Sequence, residues 1–545
     1  MNFFWRLAVT LRYNLLDQKL IRTRLVADEL PHSFSLPGLM LALGKDAVRD
    51  FPALRPHQRH PWHAFLVQLA AITLNHAGRN ELFDSEEAWR EALLNLSPND
   101  TDGAAWCLIS PYDRPAFMQA PVPGGSVLGW ESDRPTPDSL DDVLVTSRNH
   151  DLKQARVRNA EIDDWIFALI SLQTQAPCPG GGGTIYGVTR MNGGASSRPG
   201  VGIAVPGQIG SRWKRDVFVA LNSRAKIVDN FGFPPSEGIG LMWLIPWGGA
   251  ETDALPFLSL DPFFIEISRR VRLVERGGNI FAVRASSKMR IIKSQAEKLH
   301  GDTGDLWTPI DITKVNEPKS LGMSESGFSY KKMASLAFGP GYLRPPAQVI
   351  QPSDPKSGLF LVARAIASGQ SKTAGYHERA IPISEKMSFL IRKDIDRLAA
   401  MSKKRIEMIS SVAGILKKSL NVLFDGGKRR EGLWKPPSGI EEKTKRYLNI
   451  FDDIEDARFF NDLIFEVNEM EQQDIFSSWQ RDVLKRGEKI LHDAFSSGPQ
   501  SGEQRYRASA CALGLFRKLV ADHFPEHATY YCQQSTNKEL AHEHP

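Results

Sequence analysis

Apolar positions recur with more than one rhythm along the 545-residue chain, and each rhythm predicts a different kind of structure. Near the start, Leu15-Leu16-Asp17 and Leu20-Ile21-Arg22 alternate as short strands do, and Ser35-Leu36-Pro37-Gly38-Leu39 opens a helix. Ser35 is suited to cap that helix and Pro37 to sit in its first turn. Residues 62–74 are apolar on nearly every side, which predicts a helix buried in a core. Prolines 98, 111, 115, 121, 123, 135 and 137 then break residues 97–140 into loops. The apolar run Val143-Leu144-Val145 leads into polar residues 146–153. Residues 160–173, with Ile162, Trp165, Ile166, Leu169 and Ile170 at helical spacing, predict another helix.

From about 200 to 288 the short apolar runs 217–221, 241–245 and 263–274, bounded by Gly, Pro and Asn, read as strands. Residues 359–366 read as a strand or a helix. After Pro382 the period lengthens: residues 384–423 predict one long amphipathic helix, and three more helical patterns cover roughly 440–468, 474–496 and 503–524. Four helices with connections of this size make a four-helix bundle. The expected fold class is therefore α+β, with a large mixed α/β N-terminal domain over 1–380 and a C-terminal four-helix bundle over 381–545. A chain this long is too large for a single core, which agrees with more than one domain.

Composition narrows the function. Lys+Arg 68 against Asp+Glu 63 gives a net charge of +5, so contact with nucleic acid is expected through local patches rather than the whole surface. Cys107, Cys178, Cys511 and Cys532 are far apart and form no Cys-x-x-Cys pair, which points to a reduced cytoplasmic protein without a zinc site. Arg6 and Arg12 interrupt the apolar start, which lacks the core of a signal peptide, and no run is long enough to span a membrane.

The most unusual stretch is Gln175-Ala176-Pro177-Cys178-Pro179-Gly180-Gly181-Gly182-Gly183, followed by Gly187 and the pair Gly193-Gly194. Four successive glycines have no side chain to bury and lose much backbone entropy on ordering. They do let another molecule approach the main chain, whose N–H groups can bind an anion or a base edge. Arg190 and Asn192 would add a charged fork and an amide. A mobile linker is the plain alternative. The run lacks the Gly-Lys-Ser/Thr ending of a phosphate-binding P-loop and the acidic partner of a dinucleotide fingerprint.

Other candidates are weaker. His57, His60 and His63 recur every third residue, but Pro61 interrupts a helix carrying all three and no local carboxylate or thiolate completes a metal site. Arg148, Asn149, His150 and Lys153 are a polar-basic group without a partner nucleophile, suited as well to grasping a backbone as to catalysis. Arg269, Arg270, Arg272 and Arg276 are either a solvated face or a phosphate contact. Residues 368–379 form a tight turn with Gln370, Lys372 and Thr373 at its tip. The helix from 384 carries Lys386, Arg392, Lys393, Arg397, Lys403, Lys404, Arg405, Lys417 and Lys418, an excess of one sign that favours a polyanion.

In order and spacing, Phe117-Met118-Gln119, Gln175-Ala176-Pro177 with its glycine loop and Gly193-Gly194, the turn before Leu306-Trp307, Glu378-Arg379 and the terminal bundle together resemble the CasA family, the large subunit of the type I-E CRISPR Cascade complex. The resemblance covers nearly the whole chain. It implies a non-catalytic subunit that reads the protospacer-adjacent motif in double-stranded DNA, starts duplex opening for the guide RNA, and recruits a helicase-nuclease or a nuclease-fused subunit. Gly180, Gly181, Gly182 and Gly183 match the family's minor-groove loop, and Lys298 or Lys293 its lysine finger. The wedge hairpin matches Gln370, Ser371, Lys372 and Thr373; Thr373 falls where the family's wedging glutamine is expected, and Gln370 is the glutamine of this turn. Arg148, Asn149, His150 and Lys153 correspond to the loop that docks near the guide RNA and other Cascade subunits. Lys393, Arg397, Lys403 and Lys404 are placed to hold the displaced strand. Some family members bind zinc through paired cysteines, which this chain lacks, so no metal and no cofactor is expected. Groove width and degeneracy fit a reader without side chains. Two other classes stay open: a metal-dependent nuclease or other enzyme using residues 148–151, and a scaffold binding only proteins.

Overall fold

The computed structural model describes residues 11–28, 30–140, 160–177, 187–191, 197–314, 316–369, 372–429, 435–470, 474–499 and 501–527, the side chains of 131–134, 368–369 and 372–374 excepted. The chain forms two compact units, one of Met1–Phe328 with Pro340–Ile383 and the other of Ser329–Gly339 with Ser384–Pro545. The fold class is α+β, with small sheets and helices in the first unit and helices in the second.

The first unit is built around the helix Arg59–His76, most of whose residues are buried. Trp62 meets Phe51 edge-on at 5.6 Å and Phe167 at 5.0 Å, and Phe65 meets Phe117 at 5.6 Å, which in turn contacts Trp243. Such ring pairs add about 0.5–1.5 kcal/mol each beyond area burial. Pro61 is accommodated because it falls in the first turn, where no backbone N–H is needed. Ser35 caps Leu36–Gly44 as expected, its Oγ accepting from Gly38 N at 3.0 Å.

Residues 217–221 are not a strand. They lie in the 23-residue helix Ile209–Phe231, which buries Trp213, Val217, Ala220, Arg224 and Ile227 and ends at Gly232 in the left-handed region, φ 73°. A short β-branched run looks strand-like by itself; the spacing of its buried neighbours over six turns decides for helix. Residues 241–245 are likewise mostly a 3-10 turn, Met242–Leu244, after the strand Ile239–Leu241.

The sheet that matters most joins Gly200–Ala204, Leu359–Gly369 and Lys372–Ile383 in that spatial order, with Leu359–Gly369 in the middle and antiparallel to both neighbours. Gly200 faces Arg364 at one end of the short strand. A Cβ at Gly200 would lie 2.2 Å from His60 Cε1, so only glycine lets this strand press against the central helix.

In the second unit, Ile395–Phe424, Ser438–Asn468, Ile475–Asp493 and Gly502–His523 form the four-helix bundle, with Val412, Leu416, Leu420, Phe451, Leu463, Val483, Leu491 and Phe516 in its core. The short helix Tyr330–Ala337 belongs to this unit too: Tyr330 stacks near Phe459 at 4.9 Å and its hydroxyl donates to Asp452 at 3.1 Å. The long basic helix expected over 384–423 is two helices, Glu385–Lys393 and Ile395–Phe424. Asp394, at φ −153° and ψ 64°, breaks the first and caps the second by accepting from Arg397 N at 3.3 Å.

Candidate nucleic-acid interface

The helix Ile162–Thr174 carries the chain to the glycine-rich stretch, and its last turn is anchored by amide side chains. Buried Gln173 donates to the carbonyls of Met118 and Arg269 and accepts from Ser268 N and Arg269 N at 2.9 and 2.7 Å. Gln175 donates to Arg198 O at 2.6 Å, and Arg269 donates to Pro177 O at 3.0 Å. The entry to the stretch is therefore held before Cys178 is reached.

Beyond it the chain is held again. Val188 N donates to Ala176 O at 3.2 Å, closing the base. Thr189 N and Oγ1 both donate to the buried carboxylate of Glu266. Arg190 donates to Asp305 at 3.1 Å and lies 3.9 Å over the Phe264 ring, and Arg198 donates to the same Asp305 at 2.8 Å and to Gln68 at 3.1 Å. Burial works to raise the Asp305 carboxyl, but the charges of Arg198 and Arg190 and the N–H of Trp307 overcome it and hold the group at about 2. Burial brings Arg190 down to about 10 against the same carboxylate.

Asp305 is thus one clamp for two segments that flank residues 192–196, and the sequence pattern had marked its neighbourhood only as a turn. Its Oδ1 accepts from both Trp307 N and Thr308 N, at 3.0 and 3.1 Å, while its Oδ2 takes the two arginines. Arg190, expected to present a fork to a ligand, is instead 3% exposed and spent on this clamp. Arg269 and Arg272 are buried as well. Arg272 donates to the carbonyls of Ser110, Pro111 and Arg114, fastening the loop 110–120 rather than facing solvent. A carboxylate adjoining Leu306-Trp307 was the available signal for the clamp, but nothing in one dimension says which arginine it meets.

The segment leaving the clamp runs straight into the sheet of the hairpin. Ser197 Oγ donates to Ile366 O at 2.5 Å, Thr308 Oγ1 donates to Pro199 O at 2.8 Å, and the strand Gly200–Ala204 then pairs with Phe360–Arg364. The hairpin strands are 11 and 12 residues long and stay in register to Gly369↔Lys372, with an irregularity at Ala367/Ser368. That register places Lys372 and Thr373 at the start of the second strand. Midway along the hairpin Arg364 donates to Glu378 at 2.8 and 2.9 Å and Tyr376 donates to the other oxygen at 2.8 Å.

Lys293 and Lys298 lie on the exposed helix Lys293–Leu299, which ends at His300 in the left-handed region and continues into the Asp305 turn. Five residues apart, they point about 140° away from each other around the axis, so one approach engages one of them. Lys293 is paired with Glu297 at 3.6 Å.

In the helical unit Lys393, Arg397, Lys403 and Lys404 are exposed. Lys403 reaches Glu407 at 3.9 Å, and Lys404 Nζ lies 3.8 Å over Phe476. Arg405, grouped with these by sequence, points the other way: it is fully buried, bonded to Glu466 at 2.7 Å and stacked 4.2 Å from Trp479. Gly180, Gly181, Gly182, Gly183, Arg148, Asn149, His150, Lys153, Asn192, Gln370 and Ser371 lie outside the described residues. His60 and His63 pack edge-on against Trp307, and His63 meets Asp216 at 2.8 Å. Among the described residues no cluster of His, Cys, Asp and Glu is arranged to hold a metal ion, and no helix is long and apolar enough to cross a membrane.

No protein-family model and no curated protein matches this sequence. Solved structures do match its shape. The Cse1 of Acidimicrobium ferrooxidans, a CRISPR-associated protein, superposes with a TM-score of 0.63 at 13% identity, covering 95% of this chain and 99% of that one. Thermobifida fusca Cse1 gives 0.60 at 13% over 95% and 98%, and Thermus thermophilus CasA (Cse1) gives 0.59 at 12% over 94% and 100%. This chain has the fold of those proteins over 94–95% of its length.

Proposed function

We propose that this chain is the non-catalytic large subunit of a type I-E CRISPR Cascade complex. In this reading it recognises the protospacer-adjacent motif in double-stranded DNA, begins to open the duplex, helps hold the displaced strand and recruits the effector nuclease. The observation that carries the reading is mechanical: the glycine stretch is clamped on both sides, and its exit continues within a few residues into the sheet of the long hairpin. A loop of bare backbone suits the minor groove, where close approach is rewarded and the base pattern is degenerate. A hairpin fixed to the same frame would push on the duplex at a set distance from the motif. Short motif reading followed by strand exchange leaves the rest of the target to base pairing with guide RNA.

Lys298 is the preferred groove finger, because Lys293 is engaged by Glu297. Lys393, Arg397, Lys403 and Lys404 supply phosphate contacts for the displaced strand, and Arg148, Asn149, His150 and Lys153 dock the chain near the guide RNA and neighbouring subunits.

The test is gel-shift affinity of the guide-loaded complex, with and without this chain, for matched duplexes that carry or lack candidate flanking motifs. Tight binding that needs both the chain and the flanking bases is expected. Equal affinity in its absence overturns the proposal. Adding magnesium or manganese to the chain with labelled DNA separates the enzymatic alternative, for which metal-dependent cleavage is required.

A further inference from the structure

A second site lies in the first unit and shares Arg364 with the hairpin described above. It is a cavity of about 470 Å³ whose wall carries four arginines, Arg24, Arg59, Arg212 and Arg364, beside the indoles of Trp62 and Trp213. Its volume falls in the range of small-ligand pockets.

The charges on this wall do not cancel. Arg24 pairs with Asp50 at 2.8 Å, and Arg364 with Glu378 at 2.8 Å. Arg59 shares that same Glu378 at a looser 3.7 Å. Arg212 reaches only Asp216, at 4.0 Å, and that carboxylate is already taken by Arg215 at 2.9 Å and His63 at 2.8 Å. Among the described residues, the guanidiniums on and behind the wall outnumber the carboxylates they meet.

Burial, with Arg364 close by, also brings the Arg212 guanidinium down to about 10, so a negative charge in the cavity would relieve it.

We infer that this cavity binds a phosphate-bearing ligand, with Arg212 and Arg364 as the inner anion contacts and Arg24 and Arg59, 42% and 50% exposed, at the mouth. Guanidinium forks match phosphate oxygens two at a time. The inference does not depend on the proposed function.

The experiment is calorimetric titration of the full-length chain at constant ionic strength. The probes are inorganic phosphate, pyrophosphate, adenosine diphosphate, and one short single-stranded oligonucleotide carrying either a 5′-phosphate or a 5′-hydroxyl. Saturable binding is expected, weakened about tenfold or more by Arg212→Gln and several-fold by Arg59→Gln, while Arg458→Gln in the helical unit leaves it unchanged. Arg59 is half exposed, so its variant keeps the test valid should Arg212→Gln fail to fold. Binding of the free phosphates assigns a small-molecule ligand, and binding of the 5′-phosphorylated oligonucleotide alone assigns a nucleic-acid end; either upholds a phosphate site. No saturation by any probe at millimolar concentration overturns it. So does equal loss in Arg458→Gln, or no loss in both cavity variants.

Discussion

Arg198 and Asp305, 107 residues apart in sequence, are joined in the buried interior by two contacts of one guanidinium, Nε at 2.8 Å and Nη2 at 2.6 Å. Because Arg190 donates to the same carboxylate, one aspartate ties together the two segments that bracket the end of the glycine-rich stretch. The first prediction concerns this clamp. Asp305→Asn removes the counter-charge that two buried guanidiniums share and should destabilise the first unit by about 3–5 kcal/mol, read as a lower urea midpoint. Motif-dependent DNA binding should fall with it, whereas an Asp305→Asn variant of unchanged stability would remove the clamp from the argument.

The same carboxylate sets an acid limit. Asp305 and Asp216 are both held at about 2, below the ordinary 3.8, because their arginine and histidine partners and hydrogen bonds outweigh burial, which alone would raise them. A depressed carboxylate contributes stability above its unfolded-state value that is lost as pH falls through the folded one. Stability should therefore decline between about pH 4 and pH 2, and Asp305→Asn should show a shallower decline across that window. Parallel pH profiles for the two proteins would count against the assignment.

The glycine residues are tested by charge. Gly181→Asp or Gly182→Asp adds bulk and a negative group where the proposal brings DNA phosphates and base edges close, and should abolish motif-dependent binding while the fold and assembly into the complex persist. Size-exclusion profiles report assembly and gel shifts report binding; lost assembly would make the stretch structural.

For the hairpin, Gln370→Ala and Lys372→Ala should slow opening of a linear duplex by more than they weaken binding to DNA already opened at the target. Rates from a fluorescent base analogue beside the motif measure this. Equal loss on both substrates would reject a wedge.

Charge on the bundle gives the last prediction. If Lys403 and Lys404 each hold a phosphate of the displaced strand, Lys403→Gln and Lys404→Gln should each lower the slope of log affinity against log salt by about 0.7, the single-strand value per contact. The effect should vanish on targets lacking that strand. Lys404 also covers Phe476, so circular dichroism on its variant separates lost packing from lost binding.

Much of this was legible in one dimension. The bundle helices were, because a period near 3.6 over twenty or more residues has no other stable reading, and observed bounds such as Ser438–Asn468 and Gly502–His523 fall within a few residues of the pattern. Ser35 as a cap was legible because capping is local. The run 217–221 was misread as strand because five residues are too few to distinguish periods, and Asp394 hid within a continuous charged pattern since an aspartate fits a helix surface as readily as a cap.

What the sequence by itself determined, then, is what depends on neighbours along the chain: helix periodicity, caps and turns. What only the tertiary structure decided is where charge goes. Arg190, Arg272 and Arg405 are indistinguishable by composition from Lys403 or Lys298, yet they are buried and spent on Asp305, on backbone carbonyls and on Glu466. The reason is that a guanidinium's cost of burial is met only by acceptors from distant segments, and their convergence exists only after folding. The arginine-rich cavity has the same origin, since its wall draws on residues from Arg24 to Arg364.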